Sequence, residues 1–140
     1  MPDIIEFASN NALLVSGLTA SALAVIFYEL KLKAQSIASL SLPVAVRMIN
    51  DGGAVIDVRP SEQYLNGHII DSSNVPEATL LKSPAEHVAN KERVLLVCAT
   101  GSGSGGAVAQ LRKAGHDNVF SISGGIDEWR RENLPLVSGN

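Results

Sequence analysis

The sequence predicts an α/β domain with a parallel sheet covered on both faces, preceded by one membrane-spanning helix. Two observations carry this. From Ala54 onward, short apolar runs alternate with helix-like segments, the order that generates parallel strands joined by crossover helices. Ahead of that pattern, "ALLVSGLTASALAVIFY" (Ala12 to Tyr28) contains no charge. The polar stretch "AQSIASLSL" reads as a linker over residues 34–41, leaving residues 1–33 as anchor and 42–140 as one domain.

At about 1.5 Å per residue the apolar run covers roughly 25 Å, somewhat short of a ~30 Å hydrocarbon core. With Leu30 included and some thinning of the bilayer it crosses over about residues 12–30. A signal peptide would carry basic residues where Asp3 and Glu6 stand, and no A-x-A site follows the run. A soluble core helix is also disfavoured, because the remaining residues are too few to enclose a helix apolar all round. Lys31 and Lys33 follow the span and no Lys or Arg precedes it. The positive-inside rule therefore places Met1 outside and the C-terminal domain in the cytoplasm, on a single-pass inner-membrane protein. A single cysteine, unable to form an intrachain disulfide, agrees with that reducing compartment. The net charge of -3 argues against a nucleic-acid partner.

The elements of the domain follow in order. Ser41 as N-cap and Pro43 in the first turn open a helix carrying Val44, Met48 and Ile49, which stops at "NDGG". "AVIDV" is a strand, "PSEQYLNG" a short helix ending at Gly67, and "SNVP" a brief strand. Ser83 and Pro84 begin another short helix in "SPAEHVAN". Val94 to Val97 form a continuous apolar run, as in a strand buried on both faces. From Ser104, the residues Ala107, Val108, Leu111 and Ala114 mark one helical face, closed by Gly115 with Arg112 and Lys113 in the last turn. "VFSI" is the last strand and "GIDEWRREN" the last helix.

This arrangement puts Cys98 at the carboxyl end of a central strand, just before a helix, where open α/β sheets bind ligands. The loop after it carries no charge. The backbone amides of Ala99, Thr100, Gly101, Ser102, Gly103 and Ser104 are expected to curl toward the sulfur, with Gly101 and Gly103 free to adopt positive φ. Such a concave set of amides favours an anion and hence a thiolate. The plainer alternative is a small hydrophobe at a strand end. Gly101, Gly103 and Gly106 spell G-x-G-x-x-G, but no acidic residue ends the next strand and no Gly-Lys-Ser/Thr follows. A cysteine phosphatase would need arginine where Ser104 stands. Three scattered histidines and one cysteine give no basis for a metal site, and no cofactor is expected.

"VIDVRPSEQYLNGHIIDSSNVP", "VCATGSGS" and "SGGIDEW" resemble, in order, three signature stretches of the rhodanese (sulfurtransferase) family. The matching positions include Asp57, Arg59, Tyr64, Gly67, His68, Ile69, Asn74 and Pro76, and the stretches span Val55 to Trp129. A helix ahead of a lone domain is similar to the membrane-anchored YibN-like group of bacteria. The resemblance implies a five-stranded parallel sheet between helices. It also implies that Cys98 accepts a sulfane sulfur as a persulfide from a small donor and passes it to an external thiol or cyanide. Gly101 and Ser104 fit the family loop, whereas Gly103 stands where the family usually has arginine. That departure weakens thiosulfate as donor. It also supports an alternative, a catalytically inactive fold serving as a membrane-side scaffold for a protein partner. Supporting structural roles are expected for Asp57, Arg59 (an ion pair, with Glu62 as one partner) and His68 (hydrogen-bonded), and a core role for Trp129.

Overall fold

The computed structural model describes residues 2–139, with side chains for all of these except Pro2 and residues 34–37. Met1 and Asn140, the outer bounds of the expected anchor and domain, lie outside the described residues. The chain divides into two compact units between Ala34 and Gln35.

The first unit holds α1 (Pro2–Asn10) and most of α2 (Ala12–Ala38). Within α2, the segment Ala12–Lys33 contains an 18-residue window of mean hydropathy 1.8, none of it buried inside the protein. Among the described residues this is the one helix long and apolar enough to cross a membrane. Its length of about 33 Å covers a ~30 Å core without thinning. The span read from sequence, about residues 12–30, lies within this segment and ends before Lys31 and Lys33, although the helix continues beyond them. α1 was not anticipated. It exposes Ile4, Ile5 and Phe7, with Asp3 in its first turn, where a carboxylate is favourable.

In the second unit the order is β1 (Ser39–Leu40), α3 (Leu42–Asn50), β2 (Ala54–Asp57), α4 (Ser61–Asn66), β3 (Ser73–Asn74), α5 (Glu77–Lys82), α6 (Pro84–Val88), β4 (Val94–Val97), α7 (Ser102–Lys113), β5 (Val119–Ile122) and α8 (Gly125–Arg131). The strands form one five-stranded sheet ordered β1-β5-β4-β2-β3, with every pairing parallel. The residues read as linker are structured instead: α2 runs to Ala38, and Ser39 and Leu40 pair with Ser121 and Ile122 of β5. A strand of two residues has no periodicity, so only its partner reveals it. α5 was also missed, being a six-residue helix whose start is marked only by Pro76 and Glu77.

β4 explains the placement of the core. All four of its residues are fully buried, and alternation divides them between the two faces. Val94 and Leu96 join Ile56, Leu80, Val88, Val108 and Leu111, under α5, α6 and α7. Leu95 and Val97 join Val55, Ala45, Ile122, Ile126 and Trp129, under α3 and α8. Continuing the alternation, Cys98 falls in the first cluster. After β2 the chain moves to β3 at one edge, and after β4 it moves to β5 on the other side. The carboxyl ends of β2 and β4 therefore flank the point where the topology switches, where such sheets form a crevice.

A chain beginning at Gln35 should fold and remain in solution without detergent. A chain beginning at Leu42 lacks β1 and the buried Ala38 and Leu40, and should be less stable by about 2 kcal/mol or more. Urea unfolding of the two checks this, and equal midpoints would show that β1 contributes nothing.

Candidate active site

The chain turns as soon as it leaves β4. Gly101 takes φ 92°, and a Cβ there would come within 2.8 Å of the Gly124 nitrogen. Gly125 takes φ 58°, and a Cβ there would run into the Cys98 carbonyl oxygen. The Ile126 amide donates to that carbonyl at 2.9 Å and the Asp127 amide donates to the Ala99 carbonyl at 3.0 Å. The "SGGIDEW" stretch thus holds the base of the cysteine loop from beneath.

Cys98 is 8% exposed, and its sulfur accepts from the Gly101 N–H at 2.9 Å. Burial pushes the thiol up. Hydrogen bonding from the Ser104 hydroxyl and from the backbone amides of Ser104, Gly101 and Thr100 outweighs burial and holds the thiol below its ordinary value. Of the six expected amides, that of Gly101 meets the sulfur in hydrogen-bond geometry and those of Thr100 and Ser104 help to lower the thiol, while the Ser104 hydroxyl is also placed to donate to the Gly101 carbonyl at 3.2 Å. α7 begins at Ser102 rather than Ser104, so the Ser104 amide is a first-turn donor without an intrahelical partner, free to serve the sulfur. Of the two glycines free to adopt positive φ, Gly101 does so and Gly103, inside α7, does not. What matters there is the missing side chain. A Cβ on Gly103 would lie 3.8 Å from both Cys98 Sγ and Glu77 Oε2.

Asp57 and Arg59 form a buried pair, with Arg59 Nη2 at 2.7 Å from Asp57 Oδ2. Arg59 also donates from Nη2 to the Gly67 carbonyl at 2.6 Å. Asn74 Nδ2 donates to the carbonyls of both Asp57 and Arg59, at 3.1 and 2.9 Å. The partner of Arg59 is therefore Asp57, not Glu62, which is exposed on α4. Residues two apart at a strand end share a face, and the buried carboxylate is the nearer claim on the guanidinium. His68 stacks on Tyr64 at 3.8 Å between ring centroids. Its Nδ1 donates to the Tyr64 carbonyl at 2.8 Å, and its backbone pairs with Val137. Trp129 is buried and donates through Nε1 to the Pro135 carbonyl at 3.0 Å. Asp57, Arg59 and His68 therefore organise the chain between β2 and β3, while the sulfur is served by the loop alone.

Sequence reasoning missed Glu77, whose only signal was an acid straight after Asn-Val-Pro. It also missed the α8 amides beneath the loop, for which paired glycines before a helix were the available cue.

The rhodanese-like domain family matches residues 41–132. The chain belongs to the rhodanese family. It is 29% identical to protein YibN of Escherichia coli K12 over 142 aligned positions, covering 99% of each chain. It is 31% identical over 85 residues to the adenylyltransferase and sulfurtransferase uba4 of Ogataea parapolymorpha, covering 59% of this chain and 22% of that protein. The crystal structure of a rhodanese-related protein from Thermoplasma volcanium superposes with a TM-score of 0.64 at 29% identity, covering 71% of this chain and 96% of that one.

Because the loop lowers the affinity of Cys98 for its proton, alkylation should switch on at lower pH in the folded rhodanese than in the urea-unfolded chain. Ser104→Ala removes the largest contribution to that lowering and should move the midpoint upward. Iodoacetamide rates measured across pH check this, and superimposable profiles for parent and Ser104→Ala would refute the role given to Ser104.

Proposed function

We propose that this chain is a membrane-tethered rhodanese-type sulfurtransferase. Cys98 takes up a sulfane sulfur as a persulfide and hands it to an external thiol or cyanide-like acceptor. The observation that carries the reading is the Gly101 N–H directed at Cys98 Sγ at 2.9 Å, in a loop whose residues 99–104 carry no charge. In the first step the thiolate attacks the outer sulfur of a donor. A new S–S bond forms, the donor's S–S bond breaks, and its electron pair departs with the leaving group, as sulfite from thiosulfate. In the second step an acceptor thiolate attacks the outer persulfide sulfur and Cys98 leaves as thiolate, so no net redox change occurs. The amide donors favour the anionic sulfur before and after transfer. With one cysteine in the chain, the acceptor comes from outside.

Tethering rests on Ala12–Lys33, an unburied apolar helix, and orientation rests on Lys31 and Lys33 at its C-terminal end. The catalytic domain then faces the cytoplasm, where reduced thiol acceptors are available.

The purified full-length protein, exposed in turn to thiosulfate and to a hydropersulfide, should gain the mass of one sulfur atom. Cys98→Ser should gain none and lose turnover by about a thousandfold or more. A parent that gains no sulfur from either donor overturns the enzyme reading in favour of a membrane-side scaffold.

An epitope tag placed after residue 140 should resist protease in intact spheroplasts and be cleaved in inverted membrane vesicles. Cleavage in the spheroplasts would reverse the orientation.

A further inference from the structure

We propose that Glu77 is a specificity-determining residue that turns away doubly anionic sulfur donors. It leaves Cys98 to sulfane sulfur carried on an uncharged or cationic thiol, R–S–SH. The inference rests on the sulfurtransferase reading and supplies the donor class for it.

The backbone fixes where Glu77 stands. The Val58 amide donates to the Val97 carbonyl at 3.0 Å, and the Glu77 amide donates to the Val58 carbonyl at 3.1 Å. The first residue of α5 is thereby tied, through the end of β2, to the residue just before Cys98. The side chain then points toward the loop. Glu77 Oε2 and Cys98 Sγ are each 3.8 Å from one point, the place a Cβ on Gly103 would occupy. Carboxylate oxygen and sulfur thus both border the space beside Gly103.

Among the described residues, no Lys, Arg or His forms a salt bridge with Glu77. The described residues form salt bridges between Arg59 and Asp57 and between Arg131 and Glu128, and neither involves Glu77. Residues 99–104 contribute no charge. A donor reaching the sulfur therefore meets a half-buried negative charge, in surroundings where screening is weaker than in bulk water. Thiosulfate brings two negative charges and must release sulfite, a dianion, beside Glu77. A hydropersulfide avoids this. Cys98 thiolate attacks its terminal sulfur, the R–S–SH bond breaks, and R–S⁻ leaves with the electron pair and takes a proton from water. An uncharged R keeps the negative charge there to one unit.

The test measures sulfur loading of Cys98 by timed intact mass on the full-length protein in detergent. The two donors are thiosulfate and the hydropersulfide of 2-mercaptoethanol. Glu77→Gln should raise the ratio of thiosulfate to hydropersulfide loading rates by about tenfold. Glu77→Asp, which restores the charge, should keep the ratio near that of the parent. Gly103→Arg has room for its Cβ and brings a guanidinium beside Glu77, so it should move the ratio in the same direction as Glu77→Gln. Salt should speed thiosulfate loading of the parent and have less effect on Glu77→Gln, because screening relieves a repulsion only where one exists. A general loss of folding would slow both donors together and leave the ratio unmoved. If the hydropersulfide loads Cys98 while Glu77→Gln leaves ratio and salt response unchanged, Glu77 has no such role. If neither donor loads Cys98 in any variant, the sulfurtransferase reading itself falls and this inference falls with it.

Discussion

The Ile126 N–H donates to the Cys98 carbonyl at 2.9 Å, and Gly125 is backed so closely against that carbonyl that no side chain fits between them. This contact fixes the plane of the peptide leaving β4, and the geometry of the loop follows from it. With that carbonyl held from below, the next three residues must rise and return, and Gly101 completes the reversal at φ 92°. The turn brings the Gly101 N–H onto the sulfur and starts α7 at Ser102, two residues earlier than apolar periodicity indicates. A side chain at Gly125 would strain the contact and, through it, every donor the sulfur uses.

A second buried interaction controls the opposite wall. Asp57 is fully buried and Arg59 nearly so. Placing such charges in the interior is costly unless geometry and hydrogen bonding are nearly complete. Here the carboxylate receives Nε and Nη2 of Arg59 as well as its backbone amide. The surplus Nη2 proton goes to Gly67. Among the described residues, no buried side-chain polar atom lacks a partner. The pair works as a clamp on the chain between β2 and β3. Asn74 Nδ2 ties the chain just before Pro76 and Glu77 to the carbonyls of the same two residues.

The electrostatics of the crevice therefore combine dipoles at the sulfur with a carboxylate beside Gly103. Amides and a hydroxyl stabilise a thiolate without supplying net positive charge. A cation in the loop would favour the thiolate and any anionic donor alike. Fixed dipoles act chiefly on the sulfur they touch, because their field falls off faster with distance than that of a charge. The departure at Gly103 thus separates two properties that an arginine would join, activation of the cysteine and attraction of the donor.

Periodicity and punctuation in the sequence were enough to identify β2, β4, β5, the long helices and the apolar span. Each is a pattern repeated over several residues, set by which side chains must leave water. Cys98 and its glycine loop were legible for the same reason, since an apolar run ending in Cys-x-x-Gly locates a strand end and a turn. The positive φ of Gly101 was legible too, whereas the need for glycine at Gly125 followed from geometry that no pattern encodes, namely how close another backbone comes. β1 exists only through its pairing with β5, and the partner of Arg59 was settled by which carboxylate is buried beside it. Glu77 reaches the site only because two hydrogen bonds tie α5 to the ends of β2 and β4. Local sequence determines local structure where hydrophobic burial repeats along the chain. Contacts between residues distant in sequence were decided by the tertiary structure, because their energies depend on distances and burial that exist only once the chain has folded.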